Sequence, residues 1–158
     1  MRVLVLSCSI AFLVSCTRAD QDVATDTAAG ATQTTSTATI SLADLAGRWN
    51  VTAKPEAGTD TSTTRYVLNA TADTSGWTIT FAQRPQQPVA VRVIAIEGDS
   101  IVTEAGPFQS VRRRGVQVTT RNVLRKEGDR LVGTSRARYA SGGADSVLTL
   151  RTEASRAP

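Results

Sequence analysis

The chain contains no histidine, and aromatic residues make up only 4% of its 158 residues. Its two cysteines, Cys8 and Cys16, both lie close to the N-terminus. A zinc site of cysteine and histidine is therefore excluded from the rest of the chain, as are a disulfide-rich fold and a catalytic pair of a nucleophile with histidine. Only one apolar run stands out, which excludes a helical membrane protein with several spans. The remaining composition, 41% hydrophobic and 20% charged with a net charge of +4, suits one globular domain.

The first 16 residues have the organisation of an export signal. Arg2 precedes an apolar run over residues 3–14, which is shorter than the roughly 20 residues that a membrane-spanning helix needs. An ordinary secretory signal, cleaved after a small residue, is one interpretation of this pattern. The run ends in Leu13-Val14-Ser15-Cys16, however, and this sequence resembles the lipobox of bacterial lipoproteins.

The lipobox resemblance implies a lipid anchor. Residues 1–15 would be removed as a signal peptide, and Cys16 would carry fatty acids such as palmitate as the first residue of the mature chain. Three acyl chains anchor a protein firmly, because each buried methylene contributes about 0.8 kcal/mol. Thr17 follows Cys16, whereas an aspartate there retains enterobacterial lipoproteins at the inner membrane. We therefore expect a lipid-anchored protein of the cell envelope, at the outer membrane and facing the periplasm.

The segment after Cys16 predicts a disordered tether. Residues 17–40 include eight threonines and six alanines but no leucine, phenylalanine, tryptophan or tyrosine. Such a segment buries too little apolar surface to offset the entropy of ordering it. As a flexible coil it would span roughly 25–30 Å. A threonine-rich edge strand over residues 32–40 is the alternative.

From Ser41 onward the sequence predicts an all-β domain over residues 41–158. Ser41 caps a short helical turn that ends before Gly47. Beyond it, runs rich in β-branched residues alternate with turn residues. Two turns repeat, with Gly98-Asp99 and Gly128-Asp129 each between apolar runs, as in tight hairpins. The pattern favours an eight-stranded antiparallel up-and-down barrel, which leaves no sheet edge, over a sandwich. The predicted strands are 48–53, 63–70, 77–81, 89–96, 101–104, 116–125, 130–139 and 146–153.

The start of this domain resembles the lipocalin family. Leu45-Ala46-Gly47-Arg48-Trp49 places Gly-x-Trp at the opening of the first strand, directly after the helical turn. The resemblance implies a lipocalin-like barrel with Trp49 at its closed end and a basic side chain across the ring. Arg151 or Arg156 could supply that cation, and we take Arg151 as the candidate. The whole chain also resembles lipocalin-like lipoproteins of bacteria, a family that implies no particular activity.

The barrel interior is the first candidate site. Tyr66, Trp77, Ile79, Phe81 and Tyr139 are expected to point inward and to line a pocket for a small apolar or amphipathic ligand. An eight-stranded barrel is just wide enough for its own side chains to fill, so a filled core is the open alternative. The small residues Gly133, Ser135 and Ala137 on one strand face would favour a cavity.

The second candidate site is an arginine-rich face. Residues 112–138 contain nine basic residues and two acidic ones. Arg121 and Arg125 share one strand face, as do Arg136 and Arg138, while Arg112-Arg113-Arg114 are expected on a loop. An outward-facing stripe would make the protein a non-enzymatic interaction module that docks on anionic envelope components. Solvated arginines without a partner are the alternative, and the lack of interleaved aromatics argues against nucleic acid.

Nothing in the sequence favours an enzyme, a cofactor or a metal. Without histidine, acid–base catalysis would need carboxylates, and no pair of them stands out. Asp99, Asp129 and Asp145 are better explained as turn residues. The sequence therefore predicts binding, with no catalytic residues.

Overall fold

The computed structural model describes residues 39–85, 87–143 and 146–158. The predictions on Cys16, the signal peptide and residues 17–38 of the tether lie outside this part of the chain. Within it, no helix is both long and apolar enough to cross a membrane. The elements are α1 (Leu42–Leu45), β1 (Gly47–Pro55), β2 (Thr64–Ala70), β3 (Thr78–Phe81), β4 (Val89–Glu97), β5 (Ser100–Gln109), β6 (Gln117–Glu127), β7 (Arg130–Tyr139) and β8 (Val147–Arg156).

The eight strands form a closed antiparallel barrel in sequence order, which confirms the predicted fold class. Each strand pairs with its neighbours in the chain, and β8 pairs with β1 to close the barrel. All strand pairing is thus completed within residues 47–156, without a strand from elsewhere. The alternative of a sandwich fails because the ring is continuous.

The predicted fifth strand, 101–104, was too short. β5 continues beyond residue 104, through Gly106-Pro107, to Gln109. The pairing of β5 with β6 shifts in register between Ala105 and Phe108, so the two breaking residues are accommodated in an irregularity of the ladder. This continuation carries Phe108 to the cavity described below.

The barrel has two ends that differ in structure. The helix end, as we name it, holds α1 and the tight turns at Gly98 and Gly128, both of which have φ of 59° as a hairpin of this kind requires. Thr39 and Ile40 also reach this end, where the amide of Ile40 donates to the carbonyl oxygen of Gly98 at 2.9 Å. The loop end holds the β1–β2, β3–β4, β5–β6 and β7–β8 connections. In the last of these connections, residues 144 and 145 lie outside the described part of the chain.

Candidate functional site

Trp49 closes the helix end of the barrel. Its ring is fully buried, and Nε1 donates a hydrogen bond to the carbonyl oxygen of Leu45 at 2.7 Å. The guanidinium carbon of Arg156 lies 4.5 Å from the centroid of the Trp49 ring, within the range of a cation–π interaction. The same guanidinium donates to the carbonyl oxygens of Ala46, at 2.7 Å, and of Asp44. These contacts join α1 to the start of β1 and the end of β8.

Arg156, and not the expected Arg151, is the cation over Trp49. The even-numbered buried side chains of β8 point into the barrel, so position 156 continues the inner face beneath its end. Arg151 lies on the outer face with its side chain 74% exposed, and its Nε is 3.3 Å from the Glu153 carboxylate. The alternation along the strand therefore decides between the two arginines.

An interior cavity with about 50 Å³ of free space lies toward the loop end. Four of the five side chains expected to line a pocket are in its wall: Tyr66, Ile79, Phe81 and Tyr139. The ring centroids of Tyr66 and Phe108 each lie 5.5 Å from that of Phe81, so three aromatic rings form a continuous wall. The cavity is also lined by Ala53, Thr64, Ser110, Val111, Arg112, Val118, Thr120, Asn122, Ser135, Ala137 and Leu150.

Trp77 does not line this cavity, contrary to expectation. It shares a strand face with Ile79 and Phe81, but it precedes β3 and lies nearer the helix end. Its ring is buried, and its Nε1 donates to the carbonyl oxygen of Asp73 at 2.8 Å. Trp77 thus stabilises the β2–β3 connection and does not face the cavity.

A polar strip crosses the apolar interior beside the cavity. The hydroxyl of Tyr66 hydrogen-bonds with Ser135, whose Oγ lies 2.7 Å from Oγ1 of Thr152. Nδ2 of Asn122 donates to Oγ1 of Thr103 at 3.1 Å. Burial raises the pKa of Tyr66 to about 12, while its hydrogen bond to Ser135 acts in the opposite direction. The phenol therefore stays protonated at physiological pH and remains able to donate a hydrogen bond.

The small residues of β7 contribute unequally to the cavity. Ser135 and Ala137 are in its wall, as expected of small inward-facing side chains. Gly133 is not, because the backbone of β6 occupies the space that its side chain would take. A Cβ atom built on Gly133 would lie 2.0 Å from the carbonyl oxygen of Val123. This glycine therefore permits close approach of two strands and does not widen the cavity.

Arg112 spans the loop end beside the cavity. Its guanidinium donates to Oδ2 of Asp60 at 2.5 Å, to Oγ of Ser62 at 2.8 Å and to Oγ1 of Thr64 at 2.8 Å. The Arg112 side chain is only 11% exposed, whereas the Asp60 carboxylate is 53% exposed, so the ion pair lies at the surface of the rim. The β5–β6 connection thereby holds the β1–β2 connection in place beside the cavity.

No protein-family model matches this sequence, and no curated protein or solved structure matches it either. Function is therefore inferred from the residues of the barrel itself. Within the described ranges, no three His, Cys, Asp or Glu side chains are grouped so that they could hold a metal ion.

The arginine-rich region divides into groups with different surroundings. Arg112 and Arg113 lie on the β5–β6 connection, as predicted, and the guanidinium carbon of Arg113 is 3.9 Å from the centroid of the Tyr139 ring. The four arginines of the expected stripe are all exposed on the outer wall of β6 and β7. They are Arg121, Arg125, Arg136 and Arg138.

Sequence reasoning missed several contributors to the cavity, among them Phe108, Arg112 and Asn122. Phe108 was not predicted because the predicted fifth strand ended at residue 104. Arg112 was interpreted only as a positively charged loop residue. Asn122 had a detectable signal, because it occupies an inward position of β6 between Val118 and Leu124. A polar residue at such a position marks an interior that is not wholly apolar.

Proposed function

We propose that this protein is a lipid-anchored cell-envelope protein whose barrel binds a small apolar or amphipathic molecule at the loop end. The observation that carries the binding proposal is the interior cavity, which combines an aromatic wall with buried hydrogen-bonding groups. Binding sites for small molecules are typically of this composition. The anchor at Cys16, and the location at the outer membrane facing the periplasm, are supported by the N-terminal sequence.

The size of the cavity restricts the ligand. Its free space of about 50 Å³ is well below the roughly 300–1,000 Å³ of pockets that enclose drug-sized molecules. We infer that the ligand is a small molecule or one slender end of a larger one that leaves through the loop end. Its polar group would reach the hydroxyl of Tyr66 or the side chains of Ser135 and Asn122.

A titration with straight-chain alcohols of two to eight carbons tests the proposal. The protein would be residues 17–158, which retain every described residue and the whole closed barrel. We expect amide NMR shifts confined to residues around the cavity, with an optimum chain length. Ala137→Leu, which fills the cavity, should abolish them, whereas Ala43→Leu, which adds the same group at an exposed position of α1 at the helix end, should not. Scattered shifts, or equal shifts in both variants, would contradict the proposal.

The anchor has its own test in the host. Cys16→Ala should leave the precursor uncleaved and unable to incorporate labelled palmitate. Label that persists on this variant would show that Cys16 is not the acylated residue.

A further inference from the structure

Three arginines form a cluster on the outer wall of β6 and β7. Arg121 and Arg136 are direct partners in the antiparallel register, and Arg138 follows Arg136 on the same face. Directly opposed residues lie about 5 Å apart, and alternate residues of one strand lie about 7 Å apart. The three guanidinium groups can therefore reach one phosphate or two adjacent ones.

Four other arginines of the barrel wall are paired with a carboxylate, namely Arg92, Arg125, Arg130 and Arg151, whereas the three of this cluster are not. Among the described residues Arg48 and Arg65 also have no ion pair, but they lie opposite Asn69 and Thr52 and not opposite a second arginine. Arg125, the fourth member of the expected stripe, lies 2.7 Å from the carboxylate of Glu127, and Arg130 lies 2.7 Å from that of Glu153. Throughout residues 39–85, 87–143 and 146–158, no ion pair involves Arg121, Arg136 or Arg138. Arg125 is thus separate from the cluster.

The surroundings leave the cluster with an excess of positive charge. Glu104 is the register partner of Arg121 on β5, but its carboxylate is already paired with Arg92. On the other side, β8 places the uncharged Thr149 opposite Arg136. Like charges directly opposite each other destabilise a sheet, so a bound anion would relieve a cost that the barrel carries alone.

We propose that Arg121, Arg136 and Arg138 dock the barrel on the phosphate groups of anionic lipid headgroups. Guanidinium groups bind phosphate with paired hydrogen bonds, and an open barrel wall suits a surface better than a buried ligand. A membrane as the source of the phosphate follows from the anchor that the proposed function places at Cys16. The interior cavity plays no part in this contact.

The experiment measures binding of residues 17–158, without an anchor, to lipid vesicles by co-sedimentation. One vesicle is phosphatidylcholine alone, and the other contains 30% phosphatidylglycerol. The test variant carries Arg121→Gln, Arg136→Gln and Arg138→Gln. The control carries Arg48→Gln, Lys54→Gln and Arg65→Gln, which remove the same charge from exposed positions on β1 and β2, on the opposite wall.

We expect binding only to the anionic vesicles, weakening as salt is raised. The test variant should lose about 100-fold in affinity, as three basic residues at an anionic surface typically would, and the control less than threefold. Equal losses in the two variants, or no binding to the anionic vesicles, would overturn the proposal. Competition by millimolar inorganic phosphate at constant ionic strength would also overturn it, because the site would then take free phosphate. A negative result would not count against the proposed ligand cavity or the proposed lipid anchor, since neither is used in this measurement.

Discussion

At the helix end the barrel is closed by a buried tryptophan, a helix and an arginine, whereas at the loop end arginine side chains join the connections beside a cavity. Trp49 is fully buried and contacts three elements of the fold. The cavity wall at the other end includes hydroxyl and amide groups that an apolar core would not contain. One end is thus filled by buried side chains and the other retains a cavity, and four changes would test how far the two ends differ in stability.

The largest effect is expected from Trp49→Ala. It removes a fully buried ring and the support beneath Arg156, so the free energy of unfolding should fall by about 3–5 kcal/mol. Chemical denaturation monitored by circular dichroism measures this change. An unchanged stability would mean that Trp49 does not hold the helix end together.

The next largest loss of stability is expected from Gly47→Ala, because the added methyl group meets both an unfavourable backbone conformation and a close contact. Gly47 has φ of 126°, and a Cβ atom would lie 2.8 Å from Nη1 of Arg156. We expect a loss of about 1–3 kcal/mol in unfolding free energy. Gly58→Ala is the matched control at the loop end, since φ is 95° but nothing lies within 4 Å of the added Cβ. Equal losses in both variants would show that backbone strain alone, and not the contact with Arg156, sets the cost.

Arg112→Ala should destabilise the loop end by about 1–2 kcal/mol through its lost hydrogen bonds. Hydrogen exchange should accelerate in the β1–β2 connection while the amides around Trp49 keep their protection, because opening would be local. Arg114→Ala, at an exposed position of the same connection, provides the control. If protection falls equally at both ends, Arg112 acts on the whole barrel and the two ends are not independent.

The smallest effect on stability is expected at Asp60, whose carboxylate makes a contribution that depends on pH. Its pKa is lowered to about 2 from 3.8, first by the hydroxyl and backbone N–H of Ser62 and then by Arg112. A lowered pKa means that the ionised carboxylate stabilises the fold above about pH 4 and that this contribution disappears as the pH falls toward 2. Urea midpoints for the wild-type protein and Asp60→Asn should therefore differ at pH 6 and converge near pH 2. A difference that stays constant with pH would mean that the charge of Asp60 is not involved.

Much of the fold could be predicted from the sequence, because alternation and turn residues are local signals. Seven of the eight predicted strands agree with the structure to within about three residues at each end, and the exception is 101–104. Gly98 and Gly128 were also recognised as turns. The fifth strand was predicted to end at residue 104, whereas β5 continues through Gly106-Pro107, residues that usually end a strand and are accommodated here by a register shift. Local residue propensities carry no information on whether the neighbouring strands can support such an irregularity.

The candidate site was less predictable, because it depends on which inward side chains meet. Four of the five expected cavity residues are in the wall, but Trp77 turns to Asp73 instead. Alternation tells which face a residue occupies, and it does not tell how far along the barrel its neighbours lie.

The sequence by itself determined the eight-stranded barrel, the position of Trp49 after its helical turn and the concentration of arginine in residues 112–138. These follow from periodicity, turn chemistry and composition, which act over a few neighbouring residues. Only the tertiary structure decided that Arg156 covers Trp49, that Arg112 joins the connections at the loop end, and that Arg121 faces Arg136 without a carboxylate. These contacts join residues that are distant in the chain or lie on different strands, and the register and closure of the barrel bring them together.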